Sequence, residues 1–250
     1  MLKDFFLEFL KPRSFDSPVS ELNLFYVIDV SGSMSGNKIQ AVNSVMPEVM
    51  EMVNKISEEN ADNAVIKASV LKFNEYAEWL FPMPIYASEM SSKWPALNAN
   101  GKTSFGLMCD ALEKALHRNI SKNPCAQLNS IVGHKAPAII LISDGHPLDD
   151  DWEFHLDLLK GNEWFNESSK IAIAIGNDCN RSVLSKFVGE GAEEKIYTVH
   201  NIKDLKRAIK IVSSVASIMG SKTAKPMRRD IAKHLFPIVN PDGIEIDDFD

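Results

Sequence analysis

The stretch that most narrows the folds open to this chain is Phe25–Tyr26–Val27–Ile28–Asp29–Val30–Ser31–Gly32–Ser33–Met34. An apolar, β-branched run stops at an aspartate, and serines follow at alternate positions. Apolar runs bounded by Gly and Ser read as strands buried on both faces, the habit of parallel sheets. Asp29 then stands at a strand's carboxyl end, where open α/β sheets bind ligands. With Ser31 and Ser33 it offers one carboxylate and two hydroxyls from a single loop. These are hard oxygen donors, suited to Mg²⁺ or Mn²⁺ rather than to softer metals.

The arrangement recurs. Ala138–Ser143 is the most apolar strand candidate in the chain, and it too runs into an aspartate, Asp144, followed by Gly145. Between the two, Thr103 follows Asn100–Gly101–Lys102 and precedes a helical stripe. If the two strands are neighbours where the sheet reverses its winding, both aspartates face one crevice and Thr103 opens the helix beside it. Ser31, Ser33 and Thr103 can bind Mg²⁺ directly. Asp29 and Asp144 can neutralise it, directly or through water. So few charged ligands leave the ion electrophilic, with an open position for an external Glu or Asp carboxylate.

The remaining periodicity is that of alternating strands and helices. Ile39, Val42, Met46, Val49, Val53 and Ile56 form a helical stripe, with Pro47 predicted to kink or split it. Ile66–Phe73 reads as a strand, Asn74–Glu75 as a turn and Tyr76–Phe81 as an antiparallel edge strand. Residues 82–102 read as a long loop carrying Trp94, either a core residue or a rim aromatic. Ser104 is expected to cap a helix with a stripe at Leu107, Met108, Ala111, Leu112, Ala115 and Leu116. Residues 120–135 read as an exposed insertion. A helix over 151–165, a strand at Ile171–Ile175, a helix at Ser182–Val188 and a strand at Lys195–Val199 follow. The last is a helix at Ile202–Met219, striped at Leu205, Ala208, Ile209 and Val212. This alternation implies an α/β fold: a mostly parallel, six-stranded sheet with right-handed crossovers and helices on both faces.

Two segments flank the expected domain at 21–220. Residues 1–20 place Leu2, Phe5, Phe6, Phe9 and Leu10 on one helical face, before Pro12 and Pro18. That arm either packs on the domain or docks on a partner. Residues 221–250 run from a basic patch (Lys222, Lys225, Arg228, Arg229) to an acidic stretch (Glu245, Asp247, Asp248, Asp250), which could offer a carboxylate to a neighbour's metal site.

Charge and cysteine usage exclude several classes. With 27 basic and 34 acidic residues the net charge is −7, which disfavours nucleic-acid and anionic-membrane partners. Cys109, Cys125 and Cys179 are odd in number and contain no C-x-x-C, which argues for a reducing compartment. No run approaches the roughly 18 apolar residues of a membrane span. The first residues include Asp4 and Glu8 and lack a small-residue cleavage site, so a cytoplasmic protein is expected. No zinc spacing occurs, and Gly32 and Gly36 make neither G-x-G-x-x-G nor a P-loop. The competing reading is a Mg²⁺-dependent phosphohydrolase or phospho-acceptor using Asp29. It lacks the second acid two residues on, where Ser31 stands, and the receiver-type lysine near Ile175–Gly176–Asn177.

Together, Asp29–Ser31–Ser33, Thr103 and Asp144 resemble the metal-ion-dependent adhesion site of the von Willebrand factor type A domain, over roughly residues 21–220 with all five positions filled. The resemblance implies a doubly wound sheet with one antiparallel edge strand, and metal-mediated protein binding rather than catalysis. Within the family, Asp29–Met34 with Ser35–Gly36, and Ser143–Asp149, are similar to bacterial TerY-like proteins. Those are small cytoplasmic members associated with tellurite resistance and phage or chemical stress, often found beside a kinase and a phosphatase. His146 stands where that group implies Glu; it is either a further ligand or a solvated loop residue. Asp149, Asp150 and Asp151 either bind a second cation or form a charged helix start.

Overall fold

The computed structural model describes residues 20–61, 64–81, 84–117 and 135–221. Residues 1–19 of the N-terminal arm, nearly all of the 120–135 insertion with Cys125, and the tail from 222 lie outside the described residues.

The central strand, β1 (Ser20–Asp29), is buried without interruption from Leu22 to Asp29. Successive side chains point to opposite faces of a strand, and both faces here meet apolar layers. Leu22, Leu24, Tyr26 and Ile28 join the core under α1 (Asn37–Glu59) and the final helix α7 (Ile202–Ser221). Phe25 and Val27 join the opposite core, under α3 (Phe105–Ala115), α4 (Trp152–Lys160), α5 (Glu163–Glu167) and α6 (Arg181–Val188). The other strands are β2 (Ala64–Phe73), β3 (Ala77–Trp79), β4 (Ile85–Tyr86), β5 (Ala138–Ser143), β6 (Ser169–Ile175) and β7 (Ile196–Val199); α2 is Ala87–Lys93. Sheet order is β3-β2-β1-β5-β6-β7, with β4 also paired to β2. All pairings are parallel except those of β3 and β4 on β2.

The chain therefore winds outward from β1 on one side, returns to β1's other edge at β5, and winds outward again. The switch point lies between β1 and β5. Ile28 pairs with Ile142 there, so Asp29 and Ser143 end adjacent strands and Asp144 follows one residue on.

Several local expectations are corrected. Pro47 does not split its helix: α1 is one element of 23 residues. A helix-interior proline costs roughly 3 kcal/mol. Val45, Met46, Val49 and Met50 around it are wholly buried, each worth about 1.5–3 kcal/mol, so packing outweighs the lost hydrogen bond. The expected loop at 82–102 contains β4, a seventh strand of two residues, and α2, which buries Ala87 and Met90. Trp94 belongs with the core rather than the rim. It packs on the cluster beneath α1, and its indole N–H lies 3.5 Å from Asn43 Oδ1. The expected helix at 151–165 is two helices, because Gly161 ends α4 and the Asn162 side chain accepts from the N–H groups of Trp164 and Phe165 at 2.9 and 3.2 Å to start α5.

Met108, Leu112, Ala115 and Leu116 of the expected α3 stripe are buried, but the stripe extends to Phe105 and Cys109 and leaves Leu107 out, at 43% exposure. Ser104 holds the N-cap position without capping. Asp149, from the loop after β5, does that work: Oδ1 accepts from Phe105 N–H (3.0 Å), and Oδ2 from Gly106 N–H (2.6 Å) and Ser104 Oγ–H (3.3 Å). A carboxylate here meets both orphan amides and the positive end of the helix dipole.

Replacing that cap has a defined cost. Asp149→Ala is expected to destabilise the protein by roughly 1–2 kcal/mol, and Asp149→Asn by less, in urea unfolding at neutral pH. An unchanged midpoint for Asp149→Ala would refute the capping role.

Candidate metal centre

Three loops meet at the carboxyl edge of β1 and β5. In the first, Asp29 is wholly buried. Its Oδ1 accepts from Ser31 N–H at 2.9 Å and its Oδ2 from Ser143 Oγ–H at 2.7 Å. Ser143 Oγ in turn accepts from Gly145 N–H at 2.8 Å. Ser143, which the sequence reading passed over, thus links the two acidic loops; its only signal was a hydroxyl ending an otherwise aliphatic strand. Ser31 is buried and Ser33 exposed, on a single 3₁₀ turn at Gly32–Met34, with their hydroxyl oxygens 3.1 Å apart.

The second loop is held by backbone. Asn100 N–H donates to Val30 O (2.8 Å), and Gly32 N–H to Gly101 O (2.9 Å). On its other side Leu148 N–H donates to Thr103 O (2.8 Å). Thr103, 4% exposed, is therefore placed between the Asp29 loop and the Asp144 loop.

In the third loop Asp144 is buried, and its Oδ1 has no hydrogen-bond partner among the described residues. His146 Nδ1 comes within 3.4 Å of that oxygen without hydrogen-bond geometry, and its side chain is half-exposed. Asn180 N–H ties down the Asp144 carbonyl at 2.8 Å. Gly145 makes the following turn at φ +76°, where a Cβ would stand 2.9 Å from Asn180 O. The neighbouring acids have other work. Asp149 caps α3, and Asp151 lies 3.5 Å from His155 Nε2.

Burial pushes the Asp29 carboxyl up to about 6. The hydrogen bonds from Ser31 and Ser143 offset part of this, and the Asp144 charge adds to it. The donor set is two carboxylates and three hydroxyls. Among the described residues no three His, Cys, Asp or Glu side chains cluster as a metal site, and burial raises the Cys109 and Cys179 thiols. This chemistry fits a hard divalent cation and no soft one. Asp144 Oδ1 fits one too, since among the described residues this buried carboxylate oxygen accepts no hydrogen bond and has only the half-exposed His146 ring at 3.4 Å to face it.

The family model of the von Willebrand factor type A domain matches residues 23–211. The chain belongs to that family. Its type A domain shares the fold of several solved structures. One is the von Willebrand factor type A protein from Catenulispora acidiphila: TM-score 0.56, 16% identity, 79% of this chain and 43% of that one. Proximal thread matrix protein 1 from the mussel byssus, with a zinc-occupied MIDAS motif, gives 0.56 and 16%, over 80% and 47%. BatB, a conserved hypothetical protein from Bacteroides thetaiotaomicron, gives 0.51 and 14%, over 78% and 98%. The chain spans less than half the length of the first two. No curated protein matches it. Type A domains are in general interaction modules rather than enzymes. Among the described residues no helix is long and apolar enough to cross a membrane.

Two outcomes follow for the metal-free protein. The folded state holds Asp29 above its ordinary value of 3.8, at about 6, so it prefers the neutral acid. That contribution is fully present below about pH 4 and is lost as pH rises through about 6. In EDTA, unfolding free energy is expected to rise by roughly 2–3 kcal/mol from pH 7 to pH 4 through this group. The Asp29→Asn protein, measured in parallel, lacks that segment of the profile; identical profiles would contradict the assignment. Gly145→Ala forces a side chain into a left-handed turn against Asn180 O, and is expected to cost about 1–3 kcal/mol in denaturant melts.

Proposed function

We propose that Asp29, Ser31, Ser33, Thr103 and Asp144 hold one divalent ion, Mg²⁺ or Mn²⁺, through which the domain captures a Glu or Asp side chain of a partner protein. When bound, the ion supplies an electrophilic open position for that carboxylate. The observation that carries the reading is the buried Asp144 oxygen with no hydrogen-bond partner among the described residues, one residue past the end of β5 beside Asp29. Two carboxylates balance a divalent charge and no more, so the ion retains affinity for a third. The Ser31, Ser33 and Thr103 hydroxyls add donors without adding charge. The zinc-occupied motif of the mussel protein is a precedent for a divalent ion in this fold.

A binding role is favoured over phosphoryl chemistry by Asp29 itself. Both its oxygens are engaged inside the protein and it has no exposed surface, so it would serve an ion by its charge or through a held water, whereas a nucleophile must bond to its substrate. The setting we propose is bacterial and cytoplasmic: a stress, tellurite-resistance or phage-defence system of the TerY-like type, with a kinase or phosphatase among the partners. It rests on the likeness of the loops at 29–36 and 143–149.

Calorimetric titration with Mn²⁺ and Mg²⁺ tests the site. The wild type is expected to bind one ion, and Asp144→Asn and Thr103→Val to bind at least ten-fold more weakly. At a metal concentration of 100 Kd, the ion is expected to add about 2.7 kcal/mol to unfolding. A wild type that binds neither ion, or an Asp144→Asn protein that binds as well, would overturn the proposal.

A further inference from the structure

Of the three loops at the metal centre, that of Thr103 follows no strand. Asp29 ends β1 and Asp144 follows β5, whereas Thr103 lies on irregular chain between α2 and α3. Its shape has to be imposed from outside. The Asp29 loop holds residues 100 and 101, and the Asp144 loop holds Thr103 by its carbonyl. Both of those anchors are themselves loops around the ion.

A third anchor comes from the sheet. Asn74 is the first residue after β2, next to Phe73, which is buried and pairs with Asp29 across the β1–β2 ladder. Asn74 reaches both ends of the threonine loop. Its carbonyl accepts from Ser104 N–H at 2.8 Å. Its Nδ2 donates to the Asn100 carbonyl and to Asn100 Oδ1, both at 3.0 Å. Its Oδ1 accepts from Tyr76 N–H at 3.1 Å, and its own N–H donates to Tyr76 O at 2.9 Å. Both backbone groups and both ends of the amide are therefore engaged. Asp at this position would lack the donors, and Gln would carry them one methylene too far. Glu75, the next residue, holds the middle of the loop. Its Oε1 accepts from Lys102 N–H at 3.3 Å. Gly101 turns beside it at φ +75°, and the Glu75 side chain lies 3.0–3.2 Å from where a Cβ would stand.

We propose, on the metal-site reading above, that Asn74 is a positioning residue for the ion: it fixes residues 100–104 against the sheet so that the Thr103 hydroxyl is aimed before metal arrives, with Glu75 holding the middle of the same loop. Backbone that must be ordered at the moment of binding subtracts from affinity. A neutral hydroxyl attracts a cation less than a carboxylate does, so it gains most from being held in advance. Asn74 supplies that order by referring the threonine loop to the end of β2, the strand on which Asp29 is also registered.

Calorimetric titration of the full chain with Mn²⁺ tests this. Asn74→Ala is expected to raise the Kd at least five-fold. In a Thr103→Val background the same substitution is expected to change Kd less than two-fold, because no hydroxyl remains to be aimed. Mere structural support would act alike in both backgrounds. Glu75 is exposed, so its replacement leaves the core intact. Glu75→Ala is expected to raise Kd two- to three-fold, and Glu75→Gln, which keeps the acceptor for Lys102 N–H, to bind as the wild type does. If the wild type binds Mn²⁺ and Asn74→Ala binds it as well, or loses affinity equally in both backgrounds, the positioning role is overturned and the metal site stands. Should Asn74→Ala not fold, the Glu75 pair decides: an alanine variant that binds as wild type, or a glutamine variant as weak as the alanine one, overturns it. A wild type that binds no Mn²⁺ overturns both readings.

Discussion

Asp29 ends β1 and Asp144 follows the last residue of the adjacent parallel β5; both are buried, and two like charges in so dry a place repel. The pairing of β1 with β5 forces this proximity. A slip of one residue in either strand would turn its aspartate to the other side of the sheet. The protein can relieve the repulsion by keeping a proton on one carboxyl or by admitting a cation. The Ser143 hydroxyl allows either, since it donates to Asp29 while Gly145 N–H holds it in place. One hydroxyl bridging two loops couples whatever happens at one aspartate to the backbone that carries the other.

The loops around this pair are positioned mainly by main chain. Val30 N–H reaches Phe73 O on β2, Asn100 N–H reaches Val30 O, and Gly32 N–H reaches Gly101 O. Backbone pairing leaves the Ser31, Ser33 and Thr103 hydroxyls to be aimed by their loops rather than consumed in holding them. Asp149 extends the scheme from the third loop to the second, by capping the helix that Thr103 precedes. A single carboxylate in the Asp144 loop thereby fixes where α3 begins. The arrangement resembles a strand-end cradle in which each loop is tied to two others, so that none moves alone.

The strands were legible in the sequence because burial on both faces leaves a near-continuous apolar run, as at Phe25–Ile28 and Ala138–Ile142. That both runs end in Asp, with a threonine loop between them, was legible for the same reason: the polar residues stand out against apolar ones. What sequence order hides is contact across loops. Ser104 looked like the cap of α3 because capping is usually local, yet the cap is Asp149, which lies 45 residues away. Ser143 looked like the tail of a strand because its partner, Asp29, is 114 residues earlier. The α3 stripe was misjudged for a related reason. Leu107 fits a helical period as well as Cys109 does, and only the packing against β2 and α4 decides which of them is covered. Pro47 shows the converse: local chemistry predicted a kink or a split, and burial along one face kept the helix a single element.

The donor set also bounds how this site can bind. Two carboxylates cancel a divalent charge, so a third from a ligand leaves the cluster at minus one. That contact alone can give only modest affinity, because an ion still wet on one side competes poorly for a carboxylate against water. The remainder must come from outside the ion. Burying an exposed Leu or Phe yields about 1.5–3 kcal/mol, and Leu148, exposed and tied by its N–H to the Thr103 carbonyl, offers such surface. The division of labour is then physical. On the proposed reading, the ion would set which chemical group enters, and the apolar side chains beside it would set which sequence around that group stays. Discrimination between partners would reside in the loop after β5, while the aspartates and hydroxyls remain common to any acidic ligand.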